Sequence, residues 1–115
     1  MKRKDVLRMV IDVIDESMND SVLAEKLYRY IDRAHKVLAK RELRPLPPTL
    51  LEDTELATYD ENVEFIVNYA IWLYYLTDLE TESASIFKGE MESINLYKPQ
   101  VFKKFEDVYG GVIDG

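Results

Sequence analysis

The sequence predicts an all-α protein: a small bundle of about four helices, with a long Pro-containing linker between helices 2 and 3 and an extended C-terminal tail. One observation is a nearly all-apolar run of helical length, FIVNYAIWLYYL, at residues 65–76. A second is a pair of amphipathic segments in the N-terminal half, whose apolar residues recur every three or four positions. The third is a cluster of three prolines within four residues, which ends a helix and stiffens the chain.

The first two helices are placed by their apolar stripes and by capping residues. Helix 1 is predicted to run from about Asp5, a candidate N-cap, to Glu16. Helix 2 is predicted to run from about Ser21 to Arg41. Asp20 or Ser21 can cap it by accepting a hydrogen bond from an otherwise unpaired backbone amide. The short connection between the two helices favours antiparallel packing.

Helix 2 also carries a row of positive side chains. At about 100° per residue, the row lies well away from the centre of the apolar stripe. Two interpretations stay open: a solvated face, whose later cations suit a helix C-terminus, or a contact with another protein subunit. His35 lies beside the apolar stripe and is predicted to sit at its rim. The members of this cationic row are Lys26, Arg29, Arg33, Lys36 and Lys40.

The linker at residues 42–57 contains the three prolines and is rich in leucine and acids. It is long for a connection in a small domain, and long connections are often functional. Its leucines are predicted to pin it to the bundle; they are Leu46, Leu50, Leu51 and Leu56.

The last two helices form a predicted hairpin. Thr58 and Glu61 match a capping box at the start of helix 3, which is predicted to run to about Thr77. Thr81 is the candidate cap of helix 4, and Pro99 is predicted to end that helix. Because helix 3 is apolar on nearly every side, we expect it either to run through the middle of the bundle or to give part of its surface to a neighbouring subunit. The residues predicted to be buried together are Leu27, Ile31, Ile66, Ala70, Ile71 and Phe87.

The C-terminal tail, residues 99–115, follows the predicted helical domain of residues 1–98. Gly110 and Gly111 break it into two apolar groups. Two interpretations stay open: a segment that docks on another surface, or a frayed terminus. The candidate docking residues are Phe102, Phe105, Tyr109, Val112 and Ile113.

Charge is unevenly distributed along the chain. The net charge of the 115 residues is −7, with +3 in residues 1–44 and −10 in residues 45–115. This acidic majority argues against general nucleic-acid binding, because phosphate-binding proteins concentrate cations on one face. The uneven distribution suggests that a basic surface of one copy meets an acidic surface of the next. The other interpretation is that both halves are simply solvated.

Motifs typical of catalysis, metal binding and membranes are missing from the sequence. It has one histidine and no cysteine, and it has neither a phosphate-binding loop nor a dinucleotide fingerprint. The apolar run at residues 65–76 is too short to cross a bilayer, and acids interrupt the N-terminal apolar stretch, unlike in a signal peptide. We therefore expect no enzymatic activity, no catalytic, cofactor-binding or metal site, and no cofactor.

The order of elements resembles a known family. Two amphipathic helices come first, the second ending in ELRPLP, and a proline-bearing linker, LPPTLLEDTELATYDE, follows. The aromatic helix FIVNYAIWLYYL then leads through an acidic elbow into DLETESASIFKGEMESI, a helix that contains Ala84. Over roughly residues 5–97, this pattern is similar to the small all-α head–tail connector proteins, or adaptors, of tailed bacteriophages.

The resemblance implies a structural virion protein of the neck, at the head–tail interface, assembled in the bacterial host cytoplasm. Adaptors of this family form a ring beneath the portal, usually a dodecameric one. The ring extends the DNA channel and provides the attachment surface for the next neck or tail protein. The implied partners are the portal protein, neighbouring copies and a downstream neck or tail protein, while DNA passes through without specific binding and no membrane is involved. The cationic row and the C-terminal tail then become candidates for portal or subunit contacts.

A different class of function stays open beside this one. The chain can also be interpreted as a bacterial or phage helical regulatory or binding module that acts as a dimer through its aromatic helix. The oligomeric state separates the two hypotheses. A ring-former is expected to be monomeric or weakly associated alone and to assemble on a portal, whereas a regulatory module is expected to be a stable dimer.

Overall fold

The computed structural model describes residues 1–14 and 20–97. Within them the chain forms four α-helices: α1 (Arg3–Ile14), α2 (Ser21–Arg41), α3 (Val63–Thr77) and α4 (Thr81–Ser93). The prediction of an all-α bundle of about four helices, with a long linker between the second and the third, is confirmed. The C-terminal tail and its boundary with the helical domain lie outside the described residues.

Helix α3 is the centre of the bundle and packs against each of the other three helices. It is buried on several sides, since Phe65, Ile66, Tyr69 and Leu73 are all inaccessible to solvent or nearly so. Of the two alternatives expected for helix 3, the structure shows the first, a helix that runs through the middle of the bundle. The other three helices therefore bury their apolar sides mainly against α3. A surface shared with a neighbouring subunit stays a prediction.

Five of the six predicted core residues are buried, and the sixth is not. Leu27, Ile31, Ile66, Ala70 and Ile71 are each 0% exposed. Phe87 of α4 is only half-buried. Its ring stacks on Tyr75 at a centroid distance of 5.7 Å, so it lies along the edge of the α3–α4 pair. The α4 residues that are buried are Ala84 and Met91.

The start of α1 differs from the prediction because the linker completes it. The helix begins at Arg3 and not at Asp5. The Arg3 N–H donates to the Thr54 carbonyl and the Lys4 N–H donates to the Glu52 carbonyl, each at 2.9 Å. The first amides of a helix have no partner inside it, and here linker carbonyls accept them. A side-chain cap is therefore not needed at Asp5.

These backbone contacts also hold the linker, and two of its four predicted anchoring leucines do not. Leu56 is buried and Leu50 is half-buried, but Leu46 and Leu51 are 38% and 64% exposed. The prediction that all four leucines pin the linker is therefore wrong for two of them. The Leu56 N–H donates to the Met1 carbonyl at 2.9 Å, which extends the pairing with the start of the chain.

The predicted cap was correct for α2 and wrong for the other three helices, α1 with Asp5 included. Asp20 caps α2, accepting from the Leu23 N–H at 3.0 Å. Before α3, however, a 3₁₀ turn at Asp60–Asn62 replaces the predicted capping box, and Thr58 is buried. Thr81 is the first residue of α4 and not its cap. At the start of α3 the Tyr59 N–H donates to Glu42 at the end of α2, a contact that is invisible in a local motif.

Helices α2 and α3 end in the same uncommon way. Leu43 and Leu79 follow them with φ of 57° and 61°, in the left-handed region. The N–H of each leucine and the N–H of the residue after it donate to carbonyls in the last turn of the helix, as in a Schellman motif. Glycine normally occupies this position, because a side chain there costs about 1–2 kcal/mol. Both leucines are also exposed, by 78% and 86%, so burial does not offset this cost.

Candidate interaction surfaces and buried polar groups

The cationic row of α2 lies on the outward face of the helix. Arg29, Arg33, Lys36 and Lys40 are exposed, while Lys26 is half-buried with its ammonium 5.8 Å from the centre of the Tyr74 ring. Within residues 1–14 and 20–97, none of the five forms a salt bridge. The structure thus brings the predicted row together as one basic surface, hereafter the α2 basic face, which comprises Lys26, Arg29, Arg33, Lys36 and Lys40.

The carboxylate of Asp32, also on α2, is already engaged by a residue of α1. The guanidinium of Arg3 donates two hydrogen bonds of 2.8 Å to the two oxygens of Asp32. The same guanidinium lies 3.9 Å from the centre of the Tyr28 ring. These hydrogen bonds raise the pKa of Arg3. Because the Asp32 carboxylate is paired with Arg3 of α1, it does not neutralise the α2 basic face. The sequence did not predict this contact, since nothing local links two residues so far apart.

Acidic side chains occupy two other exposed places. One is the stretch 52–64, which has six carboxylates and no lysine or arginine. Some of these are paired, as Asp53 is with the Lys4 ammonium at 2.7 Å, a contact that lowers the pKa of Asp53. The other place is the turn between α3 and α4, where Asp78, Glu80 and Glu82 are all exposed. Neither stretch contains a lysine or an arginine, so both are locally acidic.

Asn62 is a buried junction between three parts of the chain. It is 0% exposed. Its Nδ2 donates to Glu42 Oε1 at 2.9 Å and to the Tyr97 carbonyl at 3.1 Å, and its Oδ1 accepts from the Tyr97 N–H. Glu42 Oε1 also accepts from the Tyr59 N–H at 3.1 Å. One amide side chain thus joins the end of α2, the start of α3 and the segment that follows α4.

This junction explains why α4 ends before the prediction. The helix stops at Ser93, although the first proline after it is Pro99. Ile94 has extended φ and ψ of −70° and 125°. The chain must leave the helix there because the backbone of Tyr97 is held by Asn62. Tyr97, the last described residue, is consequently held beside the start of α3.

His35 is buried in the structure, so its predicted position at the rim is wrong. It is 0% exposed, and its Nε2 accepts from the Ala57 N–H at 2.9 Å. An imidazole that accepts at Nε2 is neutral and carries its proton on Nδ1, which has no partner among the described residues. Burial lowers the pKa of His35 from its ordinary 6.5; the nearby Asp32 carboxylate opposes this and Arg3 reinforces it.

A pH dependence of stability follows from His35. The unfolded chain binds the proton more readily than the folded protein, so the contribution is complete above the ordinary pKa of 6.5 and is lost as the pH falls towards the lower folded pKa. We expect the wild type to lose more stability between about pH 7.5 and about pH 5.5 than a His35→Gln variant, whose amide oxygen can still accept from Ala57. Urea unfolding at both pH values measures this. Equal losses in the two proteins would contradict it.

The other predicted contact residues, Phe102, Phe105, Tyr109, Val112 and Ile113, lie outside the described part of the chain. Among the residues that the structure describes, no group of three His, Cys, Asp or Glu side chains is arranged to hold a metal ion. No described helix combines the length and apolar character that a membrane span requires. Comparison of the chain with protein-family models, with curated proteins and with solved structures gave no match.

Proposed function

We propose that the chain is a structural adaptor of the tailed-bacteriophage neck. In this proposal it forms a ring beneath the portal, extends the DNA channel and provides the attachment surface for a neck or tail protein. It acts by assembly and not by catalysis. The proposal rests on the resemblance of the helix order to head–tail connectors and on one observation, the α2 basic face, which lies on a protein with a net charge of −7.

The α2 basic face supports the proposal because a ring needs two unlike surfaces in each subunit. A contact that closes a ring is heterologous: one patch of a copy meets a different patch of the next. Four of the five cations are exposed, and no salt bridge to a described residue engages them. Acidic surfaces lie elsewhere, in residues 52–64 and in the α3–α4 turn. A copy therefore carries both halves of a complementary contact.

The overall charge is compatible with a channel that DNA passes through. Phosphates are repelled by an acidic wall, so a duplex slides along it and is not held. The seven excess negative charges of each copy would add up around a ring. The α2 basic face then belongs at a contact between proteins and not on the wall of the channel.

The junction at Asn62 gives the C-terminal tail a fixed point of departure. The backbone of Tyr97 is hydrogen-bonded to Asn62 beside the start of α3. In the proposal, the tail leaves from this point to dock on the portal or on a neighbouring adaptor.

The oligomeric state tests the proposal. The purified protein is examined by native mass spectrometry alone and after mixing with the portal protein encoded in the same genome. We expect a monomer or a weak assembly alone and a ring on the portal. A stable dimer that ignores the portal would instead support a helical regulatory or binding module and would overturn the adaptor function.

Charge reversal on the α2 basic face should weaken assembly. We expect the double variant Arg29→Glu/Arg33→Glu to reduce assembly on the portal by about tenfold or more at low salt, because both exposed cations would then repel an acidic partner. Sedimentation velocity measures the assembled fraction. Circular dichroism should show an unchanged helical fold.

The matched control is Lys2→Glu/Arg8→Glu, which reverses two exposed cations near the N-terminus, away from α2. It changes the net charge by the same amount, so any general effect of added negative charge appears in both variants. If the α2 variant assembles as well as this control at low salt, the α2 basic face is only a solvated surface.

A further inference from the structure

The turn between α3 and α4 combines the most exposed apolar residue of the described chain with negative charge. Leu79 is 86% exposed, and Leu76 nearby is 43% exposed. Asp78 and Glu80 flank Leu79 in the sequence, and Glu82 follows in the first turn of α4. A leucine held in the left-handed region and pointing to solvent stabilises neither the core nor the backbone. A strained and exposed residue of this kind suggests a contact with another subunit.

The charge of this turn is not compensated within the described chain. The last turn of α3 contains no basic residue, although the partial negative charge of a helix C-terminus favours one. No salt bridge among residues 1–14 and 20–97 involves Asp78, Glu80 or Glu82. A cationic partner would therefore gain from both the carboxylates and the helix terminus.

The α2 basic face has the complementary charge and a similar length. Arg29, Arg33 and Lys36 span seven residues of one helix, about 10 Å along its axis. Their alkyl stems present apolar surface while their charged ends stay solvated. A leucine flanked by carboxylates matches such a surface, because the leucine packs on the stems and the carboxylates meet the charged ends. The acidic turn and the α2 basic face thus complement each other both in charge and in their apolar parts.

Within a single copy the turn lies by the N-terminal half of α2, where the Tyr30 hydroxyl donates to Thr77 Oγ1 at 3.1 Å, and it does not reach Lys36. The two helices run antiparallel: Lys26 lies near Tyr74, and Arg41 lies 5.1 Å from the Phe65 ring centre. The end of α3 is therefore beside the N-terminal half of α2. Lys36 is ten residues further along α2 than Lys26, about 15 Å away along the axis. A second copy is needed to bring the turn to Lys36.

We propose that the α3–α4 turn of one copy docks on the α2 basic face of the next copy, with Leu79 packed against the stems of Arg33 and Lys36. This inference rests on the proposed adaptor function and names the contact that builds the ring. The contact is heterologous, since it joins two different patches, and repetition of it closes a ring when the rotation between copies allows.

Disulfide trapping tests the contact, because the chain has no cysteine of its own. Two single variants of the full chain, Leu79→Cys and Lys36→Cys, are mixed and oxidised mildly, and their products are separated without reductant. We expect the mixed dimer to exceed the dimer of either variant alone by about tenfold, because a disulfide forms only when the Cα atoms come within about 7 Å. The control mixture pairs Leu79→Cys with Asp12→Cys, a change at an exposed site on α1.

The double variant Leu79→Cys/Lys36→Cys carries both halves of the contact in one chain. We expect it to give a ladder of covalent multimers, since its two cysteines are too far apart to join within a copy. Equal trapping in the control mixture would overturn the proposal. A product joined only through Lys36→Cys on both sides would overturn it too, because it would show a symmetric contact between two α2 helices.

A second variant, Leu79→Gly, separates docking from folding. Glycine adopts the left-handed conformation without strain, so we expect a higher Tm together with weaker self-association. A leucine that served only the fold would give a lower Tm or no change in association, and either result would overturn the assigned role. The trapping and the association measurements are made on the free protein and again after mixing with the portal. A ring on the portal without a ladder of covalent multimers would contradict this contact and leave the adaptor function standing. A ladder without a ring on the portal would contradict the adaptor function alone.

Discussion

Replacing Ile71 by alanine should lower the free energy of unfolding by about 2–5 kcal/mol, the range for a large-to-small change in a well-packed core. Ile71 is 0% exposed on α3, the helix that contacts all the others. The loss combines the transfer of the missing methyl groups with the cavity that the surrounding side chains cannot fill. Urea unfolding of the isolated protein, followed by circular dichroism, measures the change.

The same substitution at Ile86 is the matched control. Ile86 is 63% exposed on α4, so its loss leaves no cavity. We expect Ile86→Ala to change the free energy of unfolding by about 0.5 kcal/mol or less. A loss below about 1 kcal/mol for Ile71→Ala, or equal losses at the two sites, would mean that α3 is not the centre of the bundle.

Replacing Asn62 by aspartate should destabilise the protein by about 3–5 kcal/mol at neutral pH, the range for a buried charge left without compensation. The Asn62 Nδ2 donor lies 2.9 Å from Glu42 Oε1, and the variant places a second carboxylate there. Two hydrogen bonds are lost and two like charges meet in a buried place. Since protonation of either carboxylate relieves the repulsion, the difference from the wild type should shrink between about pH 7 and about pH 5.

Asn68→Asp, a change within α3, is the control for this charge change. Asn68 is half-buried, and its Nδ2 donates to the Glu64 carbonyl at 3.1 Å. We expect a loss of about 1 kcal/mol or less there. Urea unfolding of both variants at the two pH values gives the comparison. If the loss at Asn62 does not depend on pH, or is no larger than the loss at Asn68, the buried junction does not contribute as its hydrogen bonds indicate.

The fold was predictable where the cause is local. Apolar periodicity places the helices because a helix side that faces a core repeats every three or four residues. Asp20 was correctly identified as a cap, since its carboxylate binds an amide three residues away. Ile66 and Ile71 were correctly placed in the core, because α3 is apolar in nearly every direction and has to be covered.

The errors arise where distant parts of the chain meet. Asp5 does not cap α1, because Arg3 and Lys4 find acceptors in the linker. Helix α4 stops early, because Asn62 holds Tyr97. Neither contact leaves a trace in the local sequence. Asn62 stands in the mostly polar stretch 60–64, so nothing in the sequence marks it as buried or identifies its partners.

The candidate interaction surface was predictable only in part. The spacing of Arg29, Arg33 and Lys36 was enough to place them on one face of α2. Leu79 was not a candidate, since sequence patterns give no warning of a leucine in the left-handed region. The docking role proposed for Leu79 rests on its φ of 61° and on its exposure, and only the structure shows these.

The pairing of the linker with the start of α1 has a consequence for the order of folding. The α3–α4 hairpin joins neighbouring segments, so it closes a short loop and can form early. Helix α1 is different, because its first turn depends on acceptors about fifty residues away, at Glu52 and Thr54. Bringing these ends together costs chain entropy before any hydrogen bond forms. Helix α1 therefore joins last, onto a hairpin and linker that are already in place.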